Sequence, residues 1–190
     1  ATAADGSGKS ASVTFTVRTG KVENISVSKK KRTIAVGQKV SLAPTVSPTT
    51  AKNRAVKYTS SSKKVAQVTS KGVVKAKSAG TAKITIKAKD GSGKKAVVTI
   101  TVNPARVTNV KVKKSGNTAA VTCKAQKNIT HYEFYVKQGA KKWKKAAVTK
   151  KNKATINGLK GKCSFKVRTV RKVVKKHFYG AYSKVLKLKK

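Results

Sequence analysis

The sequence has no methionine, three prolines, two cysteines, one tryptophan and only four acidic residues, Asp5, Glu23, Asp90 and Glu133. Each scarcity excludes a class of chemistry. Four scattered carboxylates offer no acid pair for proton transfer, and none could gather the six or more oxygens that calcium takes. The two histidines, His131 and His177, have no carboxylate neighbour in a base-orienting position, and no HExxH, CxxC or GxSxG run occurs. "GSGK" looks like a phosphate loop only in its letters, because it joins two strand-like runs and opens no helix. The reading is a non-enzyme with no cofactor and no metal site. No apolar run approaches the roughly 18 residues of a membrane helix. The start lacks a charged stretch followed by an apolar one and falls within a repeat, so the chain reads as an excerpt of a longer one, or else as a form from which a signal peptide was removed.

What is abundant is positive charge: 47 Lys plus Arg give a formal net charge of +43. A fold carrying that charge repels itself unless its cations lie on solvated faces and meet counterions or an acidic partner. Polyanions are therefore the default partners: teichoic acid, sulfated or sialylated glycans, an anionic membrane surface, or DNA bound without sequence preference. Lysine on exposed strands also guards against edge-to-edge aggregation, so solubility is a competing explanation.

Alternation with a period of two runs through "AKITIKAK" (82–89), "AVVTITV" (96–102), "VTNVKVKK" (107–114), "CSFKVRTV" (163–170) and "KVLKLKK" (184–190), the signature of half-buried strands. Turn signals recur at short intervals: Gly37, Pro48, Gly72, Gly80, "DGSG" at 90–93, Pro104, "SGN" at 115–117, Gly139, "NG" at 157–158, Gly161 and Gly180. No window carries sustained helical periodicity. Short strands at even spacing predict an all-β chain of β-sandwiches. One segment also repeats. "AADGSGKSASVTFTV" (3–17) matches "AKDGSGKKAVVTITV" (88–102) at a constant offset, preserving both the Asp-Gly turn and the Val/Thr alternation. Residues 1–19 thus read as the C-terminal hairpin of a preceding repeat, 21–102 as a complete repeat and 105–190 as a further unit, with "VNPARV" (102–107) at the boundary. An isolated hairpin is marginal in water, so residues 1–19 are expected to be disordered or to pair with another strand edge, including that of another chain.

Within 21–102, "VGQKVSL" (36–42), "TVSP" (45–48), "YTSSSKKVAQV" (58–68), "GVVKA" (72–76) and "AGTAKITI" (79–86) resemble the bacterial immunoglobulin-like domain of group 2, with Tyr58 where that family usually has Trp. The last unit resembles a lysine-rich fibronectin type III domain through "HYEFYVKQGAKKWKKAA" (131–147), "LKGKCSFKVRTVRKV" (159–173) and "FYGAYSKVLKLKK" (178–190). Here Cys123 stands where a core Trp is expected and Cys163 where the F strand carries its Tyr. The resemblance implies tandem immunoglobulin-like and fibronectin type III sandwiches of a bacterial surface or secreted protein, acting in adhesion or cell-wall association. It also sets Cys123 and Cys163 on strands B and F of opposite sheets, where an immunoglobulin domain carries its bridge. A disulfide there would contribute roughly 3–4 kcal/mol. It is the favoured reading unless the strand alignment sets the two thiols at different levels.

The candidate polyanion-binding residues are clusters of cations. "AKKWKKAA" (140–147) sets Lys141, Lys142, Lys144 and Lys145 around Trp143, which could stack on a sugar or base or else fill the core. "RKVVKKH" (171–177) adds Arg171, Lys172, Lys175 and Lys176, "KLKK" (187–190) adds more, and "SKKKRT" (28–33) gives the immunoglobulin-like unit Lys29, Lys30, Lys31 and Arg32. Glu133, alternating with Tyr132 and Phe134, is expected to face solvent and pair with a nearby lysine. Three functions stay open: an extracellular stalk that binds anionic polymers, a purely structural spacer, and an accessory region of a secreted hydrolase. Nucleic-acid binding as a biological role is a weaker fourth.

Overall fold

The computed structural model describes residues 2–14 and 20–188, and within them the secondary structure is strand and turn without helix. The first unit holds β1 (Asn24–Val27), β2 (Lys31–Ala35), β3 (Lys39–Ser41), β4 (Pro44–Ser47), β5 (Val56–Ser60), β6 (Ala66–Val68), β7 (Val73–Ala76), β8 (Gly80–Ala88) and β9 (Lys95–Asn103). One sheet runs β2-β9-β8-β5; facing it are the ladder β3-β7-β6 and the pair β1-β4. Alternation on β8 turns Ala82, Ile84 and Ile86 inward and Thr81, Lys83 and Lys87 outward. The inward set packs with Val98, Ile100, Val102, Leu42 and Val74 in a core that is aliphatic apart from Tyr58 at its margin. Gly72 lies against that ring: a Cβ there would come within 2.8 Å of Tyr58 ring atoms and of the Leu42 carbonyl.

The second unit holds β10 (Lys111–Ser115), β11 (Thr118–Thr122), β12 (His131–Gln138), β13 (Lys144–Thr149), β14 (Lys153–Ile156), β15 (Cys163–Val173), β16 (Lys176–Tyr179) and β17 (Leu186–Leu188). The ladder β10-β11-β14 faces the sheet β13-β12-β15, and the far edge of β15 is paired by β17 along its first residues and by β16 along its last. Between the sheets lie Val121, Tyr132, Phe134, Ile156, Leu159, Phe165 and Val167. The two units are all-β sandwiches in tandem.

Near the start, Thr2 and Ser10 form one antiparallel bridge, and the Ala3 amide donates to the Lys9 carbonyl at 2.8 Å. The turn between them holds the first copy of Asp-Gly-Ser-Gly, where the Ser7 amide donates to the Asp5 carboxylate at 3.0 Å. The expected second strand of the hairpin is not seen at residues 11–14, which are exposed and without strand, and its remainder at residues 15–19 lies outside the described residues, as do the last two lysines of "KLKK".

The favoured disulfide is overturned. Cys123 and Cys163 are free and buried. Cys123 follows the end of β11, where its amide donates to Asn152 O at 3.0 Å, whereas Cys163 opens β15 opposite Gln138 and Leu188. The start of β11 is the end nearer Cys163, since the Leu159 amide donates to Asn117 O there at 2.9 Å. The B and F strands run in the same direction in a sandwich, so the two thiols sit at opposite ends, roughly 15 Å apart along the strand axis at about 3.3 Å per residue. A bridge needs Cα atoms within about 7 Å. Each Sγ instead lies near backbone carbonyls, Asn152 O at 3.5 Å for Cys123 and Gly161 O at 3.5 Å for Cys163.

Candidate functional site

The outer surface of the β13-β12-β15 sheet is where cations and aromatic rings converge. Period-two alternation on β12 turns His131, Glu133 and Tyr135 outward, and on β15 it turns Lys166 and Arg168 outward. The register then sets Glu133 opposite Arg168 and Tyr135 opposite Lys166. Pairing of β12 with β13 slips between Phe134 and Tyr135, so Lys145, not Ala146, lies opposite Tyr135. That bulge delivers the Lys145 ammonium to the acid.

Glu133 is 4% exposed, which corrects the expectation that it faces solvent. Alternation does send it out of the core, but neighbouring side chains then close over it. Its Oε1 receives Lys145 Nζ at 2.6 Å; its Oε2 receives Arg168 Nε at 2.6 Å and the Tyr135 hydroxyl at 2.9 Å. Arg168 Nη2 donates in turn to the Tyr135 hydroxyl at 3.0 Å. Burial opposes ionisation of Glu133, but the hydrogen bonds from Lys145, Arg168 and Tyr135 outweigh it and hold the carboxyl below its ordinary range. His131 Nε2 lies 4.0 Å from the same carboxylate, and burial lowers that imidazole against the pull of the acid. Among the described residues, every ion pair belongs to Glu133.

Around this acid stands a ladder of cations and rings. Lys166 Nζ lies 3.9 Å from the ring centre of Tyr182 and 4.4 Å from that of Trp143. The Arg168 guanidinium lies 4.4 Å from Tyr179 and 4.9 Å from Tyr182. Tyr135 meets Tyr182 edge-on at 5.2 Å, and His177 stacks on Tyr179 at 6.2 Å. Each contact lies within the distance at which a ring face attracts a cation or another ring. Lys166 and Arg168 are thus committed to the sheet's own cohesion, while the half-exposed Trp143 and the exposed Tyr179 leave ring surface toward solvent.

The cation clusters singled out in the sequence lie on three separate turns. Lys141, Lys142 and Lys144 are exposed at the turn into β13, with Trp143 half-buried among them and Lys145 held by Glu133. Arg171 is half-buried near the end of β15, and Lys172, Lys175 and Lys176 are exposed around the tip joining it to β16. Lys29, Lys30 and Lys31 are exposed ahead of and at the start of β2, with Arg32 half-buried. Lys166, Arg168, Tyr135, Tyr179 and Tyr182 escaped the reading. "FKVRT" and "EFYV" carried their alternation, but only the register shows that they meet.

No three of the described His, Cys, Asp or Glu residues come together to hold a metal, and no helix is long and apolar enough to cross a membrane. The fold defines the class first: tandem immunoglobulin-like β-sandwiches. Residues 21–100 match the family "Bacterial Ig-like domain (group 2)". A kappa-carrageenase of Pseudoalteromonas carrageenovora is 46% identical over 100 residues, 53% of this chain and 24% of that protein. An Ig-like virion protein of Serratia phage KSP90 is 42% identical over 94 residues, 49% of this chain and 36% of that protein. The matched segments span about a quarter to a third of these curated relatives. Among solved structures, the sixth fibronectin type III domain of human fibronectin type III domain containing protein 3 is similar with a TM-score of 0.40 at 17% identity, covering 46% of this chain and 85% of that one. Titin domains A168–A170 give a TM-score of 0.35 at 15% identity over 83% of this chain and 61% of that one. A segment shared by a hydrolase and a virion protein is an accessory or structural module, and no catalytic family is matched.

Proposed function

We propose that this chain is a non-catalytic stalk of an extracellular bacterial protein, holding anionic polymers such as teichoic acid or sulfated and sialylated glycans through distributed lysines. The carrying observation is a row across the first unit's outer face. Lys57 on β5 is in register with Lys87 on β8, and Lys87 with Lys95 on β9; all three are exposed. Strands lie about 4.8 Å apart, and like charges directly opposite one another destabilise a sheet. None of the three belongs to an ion pair among the described residues. A chain of anions laid across the strands would relieve that repulsion. On the other face Lys39 and Lys75 repeat the arrangement, in register and both exposed.

The test is binding of teichoic acid and of heparin across a salt series. Affinity is expected to fall steeply as salt rises, because each neutralised anion releases a counterion. Replacing Lys57, Lys87 and Lys95 by Ser should weaken both polymers by a similar factor. Unequal factors would identify the preferred source. Absence of binding at physiological salt would return the chain to the alternative of a spacer or hydrolase accessory, which the carrageenase relative favours.

A further inference from the structure

The two units meet over a crease, and its construction differs from that of the lysine rows. The linker after β9 is fastened to the second unit. Gln126 Nε2 donates to Ala105 O at 3.2 Å and to Arg106 O at 3.0 Å, and the Thr169 hydroxyl lies 3.5 Å from Ala105 O. Gly180 closes against the same segment, where a Cβ would come within 3.1 Å of Ala105 O and 3.2 Å of Pro104 O. From the other side, the Val36 amide donates to Asn103 O at 2.9 Å. Beside this linker the loop joining β11 to β12 turns back through Asn128, whose φ is 58°, and the Thr130 amide reaches Val170 O at 2.7 Å.

Between that loop and the turn ahead of β8 lies a cavity of about 360 Å³. Its base is apolar, with Ala79 and Pro104 buried and Val36 and Ile129 half-buried. Four exposed cations rim it: Lys77 from the first unit, Arg106 from the linker, and Lys124 and Lys127 from the second unit. None of the four belongs to an ion pair among the described residues. A concave site lined by one sign of charge focuses its field inward and raises the local concentration of counter-ions. Its volume falls at the small end of the roughly 300–1,000 Å³ of ligand clefts.

We infer that this crease is a binding site for a single anionic saccharide unit, sulfated or carboxylated, seated with its C–H face on the apolar base and its acid group among the four cations. The ligand class rests on the anionic-polymer reading; the site does not depend on the lysine rows. Ser78 and Thr108 also line the cavity and supply partners for sugar hydroxyls. The occupant touches both units, so its binding also fixes their mutual angle.

The experiment is a two-dimensional NMR titration of the whole chain with a fully sulfated heparin disaccharide. Saturable shift changes are expected at residues 77–79, 104–106 and 124–129. The double variant Lys124→Ser/Lys127→Ser, changed only at exposed positions, should lose at least about tenfold in affinity, two lost charge contacts at roughly a factor of three each or more. The variant Lys57→Ser/Lys87→Ser/Lys95→Ser should bind the disaccharide unchanged. Shifts scattered over the sheet faces, an unaffected double variant, or equal affinity for inorganic sulfate would each overturn the site. Long-chain heparin separates the two readings. If it binds at physiological salt while the disaccharide leaves the crease untouched, only this inference fails. If the triple lysine variant holds long-chain heparin as tightly as the unaltered chain while the disaccharide still seats, the distributed-lysine reading fails and the crease stands.

Discussion

The two sandwiches place their scarce acids in opposite ways. In the first unit Asp90 binds backbone: its carboxylate accepts from the Val22 amide, 68 residues earlier in the chain, and from the Ser92 amide at 2.9 Å. The second copy of the Asp-Gly-Ser-Gly turn thereby clasps the start of its own unit. In the second unit Glu133 binds side chains and is covered by them. The cores follow the same division, aliphatic in the first and carrying Tyr132, Phe134 and Phe165 in the second. A chain this cationic can hold an acid either by backbone donors at a turn or by a desolvated network of charged side chains. The second arrangement depends more heavily on each of its members.

Removal of Glu133 should separate the units most sharply. Glu133→Ala leaves Arg168 among rings without its counter-ion, and breaking a buried pair costs about 3–5 kcal/mol, less here because Lys145 is 45% exposed. Calorimetry should show the second unit's transition falling by about 10–20 °C, at about 4–8 °C per kcal/mol, with the first unit's unmoved. A single shared shift would mean that the units unfold together. Gly72→Ala is the converse blow. Its φ of 78° already disfavours a side chain, and the new methyl meets Tyr58 and Leu42 O, so the first unit alone should lose about 2–3 kcal/mol in denaturant titration.

Acid should sharpen the contrast more gently. The Val22 amide, with Ser92, holds Asp90 at about 2, below its ordinary 3.8. A carboxyl lowered by folding stabilises the folded state fully above its ordinary value and loses that contribution as pH falls through the lowered one. Asp90→Ala should therefore flatten the decline of the first unit's stability between about pH 4 and pH 2 and leave the second unit's own decline, set by Glu133, in place. Reducing agent should have the smallest effect. With both thiols free, stability should be unchanged, and burial, which pushes Cys123 up to about 11, should keep that thiol from alkylation until the unit unfolds.

Strands were legible because alternation survives even where lysine fills half the positions, as β8 and β15 show. What alternation reports is direction, not cover. Glu133 does point away from the core, as "YEFY" implies, yet a bulge brings Lys145 across it and the register adds Arg168, and neither slip nor register is written in one strand alone. The cysteines taught the same lesson. Their strands could be assigned from the resemblance, but their height along those strands depends on how far each residue lies from its strand's start. The crease was illegible for a different reason: its rim comes from three stretches of chain that the sequence keeps far apart.

The parallel pairing of β2 with β9 has a mechanical meaning. Lys31–Ala35 lie beside Thr99–Asn103, near the beginning and end of one unit, and run the same way. Tension along the chain pulls these neighbours in opposite directions, so their hydrogen bonds are strained side by side and must fail together. In the second unit the strand β17 lies antiparallel on β15 over only three residues, Leu186 to Leu188, against the five paired residues of β2 and β9, so fewer bonds share the load there. With no covalent staple between its sheets, that unit would then pay out its whole length, near 3.4 Å for each residue released. Under load the aromatic unit would then be the first to extend and the aliphatic one the stiffer link.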